Sequence, residues 1–179
     1  MKADLAVVLA AGGSTRMGQP KALLPFGGRP IVLAHVNALR PWARRVIVVI
    51  GADADRVIAA LEGQAEVVEN PRWETTFPMD SLRCALSTNI GTAFVTPVDV
   101  PPVDPQTARA LLESGQSAVP VDSAGHDGHP VVLDALTLHL VRAGSVEGGL
   151  RALLRSARRV PGGSATDWDD WPAWTAWRS

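Results

Sequence analysis

An α/β fold, with a mostly parallel sheet covered by helices on both faces, is predicted for this 179-residue chain by two observations. Apolar runs such as Leu5-Ala6-Val7-Val8-Leu9 and Val46-Ile47-Val48-Val49-Ile50 are continuous rather than alternating, which marks strands buried on both faces. Between such runs lie segments with apolar residues at helical spacing, and strands that alternate with helices are joined by right-handed crossovers.

The elements follow in order. After the first strand and a glycine-rich loop, Val32, Leu33, Val36 and Leu39 fall on one helical face, and Pro41 ends that helix. The second strand, Val46 to Ile50, stops at Gly51. Asp53 is placed to cap a short helix with Val57, Ile58 and Leu61 inward, closed by Gly63. Glu66-Val67-Val68-Glu69 reads as a weaker third strand, residues 81–87 as a helix, and Thr92-Ala93-Phe94-Val95 as a fourth strand leading to Asp99. Asp104-Pro105 places a cap before a proline in the first helical turn, and this helix runs to Gly115. Two later strands cover 117–121 and 131–133, followed by helical patterns over 135–142 and 147–155. In open sheets of this kind ligands bind beyond the carboxyl ends of the strands, near the switch in strand order. The loop after strand one and Asp99 after strand four both lie at such ends.

The composition, 46% hydrophobic and 20% charged, is that of an ordinary globular domain, and 179 residues suffice for a single domain over 1–179. A net charge of −1 argues against a protein that coats nucleic acid; any anion site must be local. Cys84 is the sole cysteine, so an internal disulfide is excluded, and its apolar helical setting predicts a buried, inert thiol. The start, Met1-Lys2-Ala3-Asp4, lacks a signal-peptide arrangement, and no apolar run approaches the ~20 residues of a bilayer span. The expectation is a cytoplasmic protein without a membrane association.

The chemistry concentrates in Leu9-Ala10-Ala11-Gly12-Gly13-Ser14-Thr15-Arg16-Met17-Gly18-Gln19-Pro20-Lys21. Glycines let backbone N–H groups approach anionic oxygens, and successive N–H groups in a tight turn form an anion-binding concavity. Arg16 can fork onto two phosphate oxygens, and Lys21 offers a compact charge. Two better-known phosphate loops are absent. Gly13 and Gly18 have the Walker A interval, but Gln19 and Pro20 intervene before Lys21; Gly12-Gly13-Ser14-Thr15-Arg16 does not supply the dinucleotide Gly-x-Gly-x-x-Gly. Downstream, Thr96-Pro97-Val98-Asp99-Val100-Pro101 presents a carboxylate at a strand end, held by prolines, suited to a hard cation that bridges to phosphates.

The pattern Leu-Ala-Ala-Gly-x-Ser-x-Arg-Met-Gly-x-x-Lys resembles the signature loop of the molybdopterin nucleotidyltransferases, most of all the molybdenum cofactor cytidylyltransferase group. The likeness covers roughly residues 4–155. It implies a three-layer α/β/α Rossmann-like nucleotidyltransferase fold and a Mg²⁺-dependent transfer of a nucleoside monophosphate from an NTP to a phosphorylated acceptor. Carried onto this chain, it implies that Leu9, Ala10, Ala11, Gly12, Gly13 and Ser14 hold the nucleotide and that Arg16 takes the outer phosphates. Asp99 would hold the metal, and Lys21 would stabilise charge on the α-phosphoryl group. Asn70 and Ser81 fit the slots near base or ribose, although Phe77-Pro78 stands where the family usually has Gly-Met. His129, in Gly128-His129-Pro130, resembles an acceptor-facing position. Glu147 stands where the family has Asp; it either reaches the metal or favours the dipole of the following helix. Arg151 either pairs with a phosphate or lies on a solvated helix face. His126 reads as solvated loop.

Ala11 beside Gly12 favours CTP as donor with molybdopterin or its molybdenum form as acceptor, because the guanylyl-transferring relatives usually read Leu-Ala-Gly-Gly. The alternatives are the guanylyltransferase homologue, a sugar-1-phosphate nucleotidyltransferase, or a non-catalytic nucleotide-binding factor that matures a molybdoenzyme. The expected state is a monomer or weak dimer. Trp168, Trp171, Trp174 and Trp177 recur every third residue in the 166–179 tail. They fit packing onto the domain itself, a dimer interface, or a stacking wall for a flat acceptor.

Overall fold

The strands and helices of the computed structural model are, in chain order, β1 (Ala3–Ala10), β2 (Pro25–Phe26), β3 (Arg29–Pro30), α1 (Ile31–Leu39), β4 (Ala43–Ile50), α2 (Ala54–Leu61), β5 (Glu66–Glu69), α3 (Pro78–Ala85), β6 (Thr92–Pro97), α4 (Pro105–Glu113), β7 (Ala118–Val121), β8 (Val131–Asp134), α5 (Ala135–Ala143), α6 (Gly149–Leu153) and β9 (Arg158–Pro161). The structure describes residues 1–13, 19–87, 89–144 and 148–163. Seven strands form one sheet in the order β5-β4-β1-β6-β8-β7-β9. β5, β4, β1 and β6 are parallel, β8 is antiparallel to both β6 and β7, and β9 pairs parallel to β7.

The continuous apolar runs have a direct cause. Successive side chains point to opposite faces of a strand, and here both faces are covered. From β1, Ala6, Val8 and Ala10 join a core that includes Val36 of α1, Val57 and Leu61 of α2, and Leu111 of α4. Leu5 and Val7 join a second core with Leu82 of α3 and Val141 of α5. β4 divides likewise, Val46, Val48 and Ile50 against Ile47 and Val49. Phe94, wholly buried on β6, anchors the first core; its truncation to alanine would remove ~3–5 kcal/mol.

Most boundaries follow from local chemistry. Asp104 caps α4 by accepting from the N–H groups of Gln106 and Thr107 at 2.9 and 3.0 Å, and Asp134 caps α5 through Thr137 N–H at 2.8 Å. Several details depart from the sequence reading. Asp53 precedes α2 with φ of 54° and no side-chain cap; its carboxylate accepts from Arg56 instead. Ile58 is exposed, because Val57 and Leu61 define the inward stripe of α2. Cys84 is exposed rather than buried, because Ser81, Leu82 and Ala85 occupy the inner face of α3. The β2–β3 hairpin turns on Gly27 and Gly28, with φ of 57° and 80°, the paired positive values a two-residue primed turn requires. Among the described residues no helix is long and apolar enough to cross a membrane.

Candidate active site

The site lies at the carboxyl ends of β1, β4 and β6, and three backbone hydrogen bonds tie these ends together. Val98 N–H donates to Leu9 O at 3.0 Å, Ala52 N–H to Ala11 O at 3.1 Å, and Asn70 N–H to Ile50 O at 2.8 Å. The strand register therefore fixes where Ala11-Gly12-Gly13 leaves the sheet and where Asp99 stands beside it. A cavity of about 250 Å³ opens there. Leu9 through Gly13 form one side, Pro97, Val98 and Asp99 another, with Lys21, Trp73, Thr76, Phe77 and Ser81 around the remainder.

Lys21 begins a short 3₁₀ turn over Lys21–Leu23, and its Nζ lies 2.8 Å from Asp99 Oδ2. The two side chains are only 16% and 25% exposed, so a cation and a carboxylate face one partly dehydrated cavity. Behind Asp99 stands His35 of α1, wholly buried, with Nε2 3.0 Å from Val100 O. Burial lowers the pKa of His35 to about 4, against the opposing pull of the Val100 and Val98 carbonyls and of Asp99, while His129 adds to the lowering. His35 is therefore a neutral imidazole at pH 7, and its remaining ring proton is donated to Val100 O. This bond fastens the turn that carries Asp99 to the first core.

Trp73, which no sequence motif singled out, forms part of the cavity wall beside Gly13. It depends on two glycines. A β-carbon at Gly13 would lie 2.7 Å from the indole, and one at Gly51 would lie 2.6 Å from both Trp73 and the Ala11 carbonyl oxygen. Gly12 has open space where a side chain would be, leaving its backbone accessible to the cavity. Asn70 is buried behind the wall. Its Nδ2 donates to Ser81 Oγ at 3.0 Å and Thr76 Oγ1 at 2.9 Å, and its Oδ1 accepts from Arg72 N–H at 3.1 Å. It orients two hydroxyl residues that do line the cavity.

The structure thus brings together Leu9, Ala10, Ala11, Gly12, Gly13, Lys21, Ser81 and Asp99, with Asn70 one layer back. Half-buried His129 lines neither this cavity nor its neighbour between α3 and α6. Arg151 lines that neighbour. His126 is exposed and bonded to Asp122. Ser14, Arg16, Glu147 and the tail tryptophans lie outside the described residues.

A sequence model of the MobA-like NTP transferase domain matches residues 6–160. Among solved structures, Rv0371c of Mycobacterium tuberculosis H37Rv superposes with a TM-score of 0.81 at 25% identity, over 98% of this chain and 97% of that one. A nucleotidyl transferase of Methanothermobacter thermautotroptrophicus gives a TM-score of 0.79 at 25% identity, over 99% and 97%. The bifunctional protein GlmU of Sphingopyxis alaskensis is 40% identical over 114 residues, which are 60% of this chain and 25% of that protein. The chain spans about a quarter of the length of the curated relatives it matches.

Proposed function

The chain belongs to the MobA-like NTP transferase family; on that premise we propose that it is a nucleotidyltransferase that transfers a cytidylyl group from CTP to the phosphate of molybdopterin or its molybdenum form, with Mg²⁺ as cofactor. The observation that carries the reading is the Lys21–Asp99 pair, 2.8 Å apart, beside the glycine loop at the switch in strand order.

Asp99 and Lys21 divide the work. Among the described residues no group of three or more His, Cys, Asp or Glu could hold a metal. A lone carboxylate suits Mg²⁺, which takes few protein ligands and completes its shell with water and substrate phosphates. Asp99 would hold the ion, and the ion, when bound, neutralises triphosphate charge. An oxygen of the acceptor phosphate attacks the α-phosphorus, the bond to the β-phosphate oxygen breaks, and pyrophosphate leaves. Such transfer calls for positioning and charge stabilisation rather than a covalent nucleophile. The accessible Gly12 backbone and the loop from Leu9 to Ser14 receive the triphosphate, with Arg16 assigned to its outer phosphates. Lys21 follows the charge that grows on the α-phosphoryl oxygens. Ser81, held by Asn70, and Trp73 face the nucleoside, and Ala11 beside Gly12 supports cytosine as its base. Glu147 is a second proposed metal ligand, and His129 is proposed to influence the acceptor side.

Melting curves with CTP, GTP, ATP, UTP and dTTP in the presence of Mg²⁺ test the reading, because a ligand bound only by the folded state raises apparent stability. CTP is expected to give the largest shift. A GTP preference would replace cytidylyl by guanylyl transfer; no shift with any nucleotide would reject the site.

A further inference from the structure

One helix holds both halves of the Lys21–Asp99 pair. At the start of α1, Ile31 N–H donates to Leu24 O at 2.8 Å, and Leu24 N–H donates to Lys21 O at 3.1 Å. The 3₁₀ turn that bears Lys21 is thereby fastened to the first residue of the helix. Four residues on, and so on the same face of α1, His35 meets the turn that bears Asp99. Its Nε2 lies 3.0 Å from Val100 O, and the Val98 carbonyl also pulls on the ring. These two carbonyls flank Asp99 in the chain.

Little else holds that turn. β6 ends at Pro97, and neither Pro97 nor Pro101 has an N–H to donate. Among the described residues, the hydrogen bonds that tie the Val98–Val100 backbone to other elements are Val98 N–H to Leu9 O, at 3.0 Å, and the one from His35. The other inward positions of α1, Ile31, Val32, Leu33, Val36 and Leu39, are all apolar. A buried imidazole is costly unless it is bonded, and the bond to Val100 is what it offers that a leucine does not.

We propose that His35 is a positioning residue for the metal carboxylate, and that α1 is the common frame that keeps Asp99 in register with Lys21. The inference rests on the reading of Asp99 as the Mg²⁺ ligand. His35 lines no part of the nucleotide cavity and acts through the backbone on either side of Asp99. Mg²⁺ demands near-ideal octahedral geometry at about 2.0–2.1 Å, so a carboxylate free to tilt holds it less well. Supports of this kind matter because a displacement of about 1 Å at a reacting centre can cost ~100-fold in rate.

Titration calorimetry on the full chain tests this with the triphosphate of largest melting shift, CTP on the present reading, in Mg²⁺ and in EDTA. The quantity read is the Mg²⁺-dependent gain in nucleotide affinity. His35→Gln keeps an N–H donor at similar reach and should retain that gain within threefold of the parent. His35→Leu and His35→Met fill the space without a donor, and His35→Asn carries its amide one carbon short. These three should each lower the gain about tenfold while affinity in EDTA stays as before, and melting curves show which variants are folded. A histidine needed only for stability would lower the melting temperature and leave the gain alone. A folded variant without the donor that kept the gain within twofold, or a Gln variant as deficient as Leu, would overturn the inference and leave the transferase reading intact. A parent protein with no Mg²⁺-dependent gain would overturn the metal reading and this inference together.

Discussion

The two blocks of the sheet differ by one reversed strand, β8, and the uninterrupted parallel block is where the site lies. In the β5-β4-β1-β6 block all strands run the same way, so their carboxyl ends form one row. The chain leaves β1 for β4 and β5 on one side and returns to β6 on the other, which parts the loops at the β1–β6 boundary and opens a crevice there. In the β8-β7-β9 block, β8 alone runs opposite to its neighbours, so it interrupts the row of carboxyl ends between β6 and the parallel pair β7 and β9. Each block carries a carboxylate–cation pair with an N–O distance of 2.8 Å. Lys21–Asp99 is largely shielded from water, whereas Arg159–Asp127 is 40% and 49% exposed. Equal distance does not make the two pairs equivalent; position and burial separate them.

The largest expected effect of breaking this comparison is at Asp99. Asp99→Ala should lower transferase turnover at least ~100-fold, since it removes the carboxylate assigned to the metal that stabilises transition-state charge. Its melting temperature should remain within a few degrees of the parent's, because Asp99 belongs to neither core. A folded variant that retained turnover within tenfold would remove Asp99 from the metal site. Lys21→Ala should follow with a fall of ~10–100-fold, in kcat more than in KM, because its charge is assigned to the transition state. A loss confined to KM would make Lys21 a ground-state binding group.

The parallel block was also the readable one. Its three inner strands, β1, β4 and β6, are largely buried and are written as apolar runs, and the loop and Asp99 follow such runs directly; β5, at the edge and mostly exposed, is the weaker signal of that block. The other block offered weaker signals. β9 has one buried residue, Val160, among Arg158, Arg159 and Pro161, so its pairing with β7 is a tertiary event that local pattern does not encode. β2 and β3, a separate two-stranded sheet, have two residues each, too few to show a strand pattern. Trp73 was hidden for another reason. Its role depends on contact with Gly13 and Gly51, far away in sequence, which only the superposed strand ends bring together. Cys84 and Ile58 were misplaced by one step around their helices, an error that a short amphipathic segment invites. Asn70 and Ser81 were picked out as separate candidates, and the hydrogen bond that makes one the support of the other had no signal in sequence.

His35 sharpens the comparison through pH. Its folded-state pKa of about 4 lies below the ordinary 6.5, so the unfolded chain binds the proton more readily. The stability due to its neutral form is fully present above pH 6.5 and is lost as pH falls toward 4. At about 1.4 kcal/mol per pH unit the loss approaches 3 kcal/mol. Asp99 and His129 act on it electrostatically, the first against the lowering and the second with it, and the capping carboxylates Asp104 and Asp134, held below their ordinary 3.8, titrate beneath this window. Denaturant melts at pH 7 and pH 4.5 should show the decline, and His35→Gln should flatten it. An equal decline in that variant would assign the acid sensitivity elsewhere.

Gly51→Ala should act more modestly, by ~1–3 kcal/mol of overpacking, because its β-carbon would meet both Ala11 O and Trp73 at 2.6 Å. It should also weaken nucleotide binding, since relief of the clash moves the loop or the indole. Gly12→Ala, with open space at its β-carbon, is the matched control for packing and should leave the melting temperature nearly unchanged.

The smallest effect is expected at Asp127, and it completes the contrast with Asp99. Its carboxylate meets Arg159 through two bonds of 3.1 and 2.8 Å, a better geometry than the single contact between Lys21 and Asp99. Judged by hydrogen bonds alone, this pair would seem the more valuable. Yet both partners stand in water, which screens the attraction and competes for every donor, and exposed pairs contribute at most about 1 kcal/mol. Arg159 also keeps its donations to the carbonyls of Leu154, Arg155 and Ala157 when the carboxylate is removed. Asp127→Ala should therefore change stability by less than about 1 kcal/mol and leave both nucleotide affinity and turnover intact. A loss of turnover beyond tenfold in that variant would show that the β7–β9 edge reaches the chemistry, and the division of the sheet into a working block and a supporting one would fail.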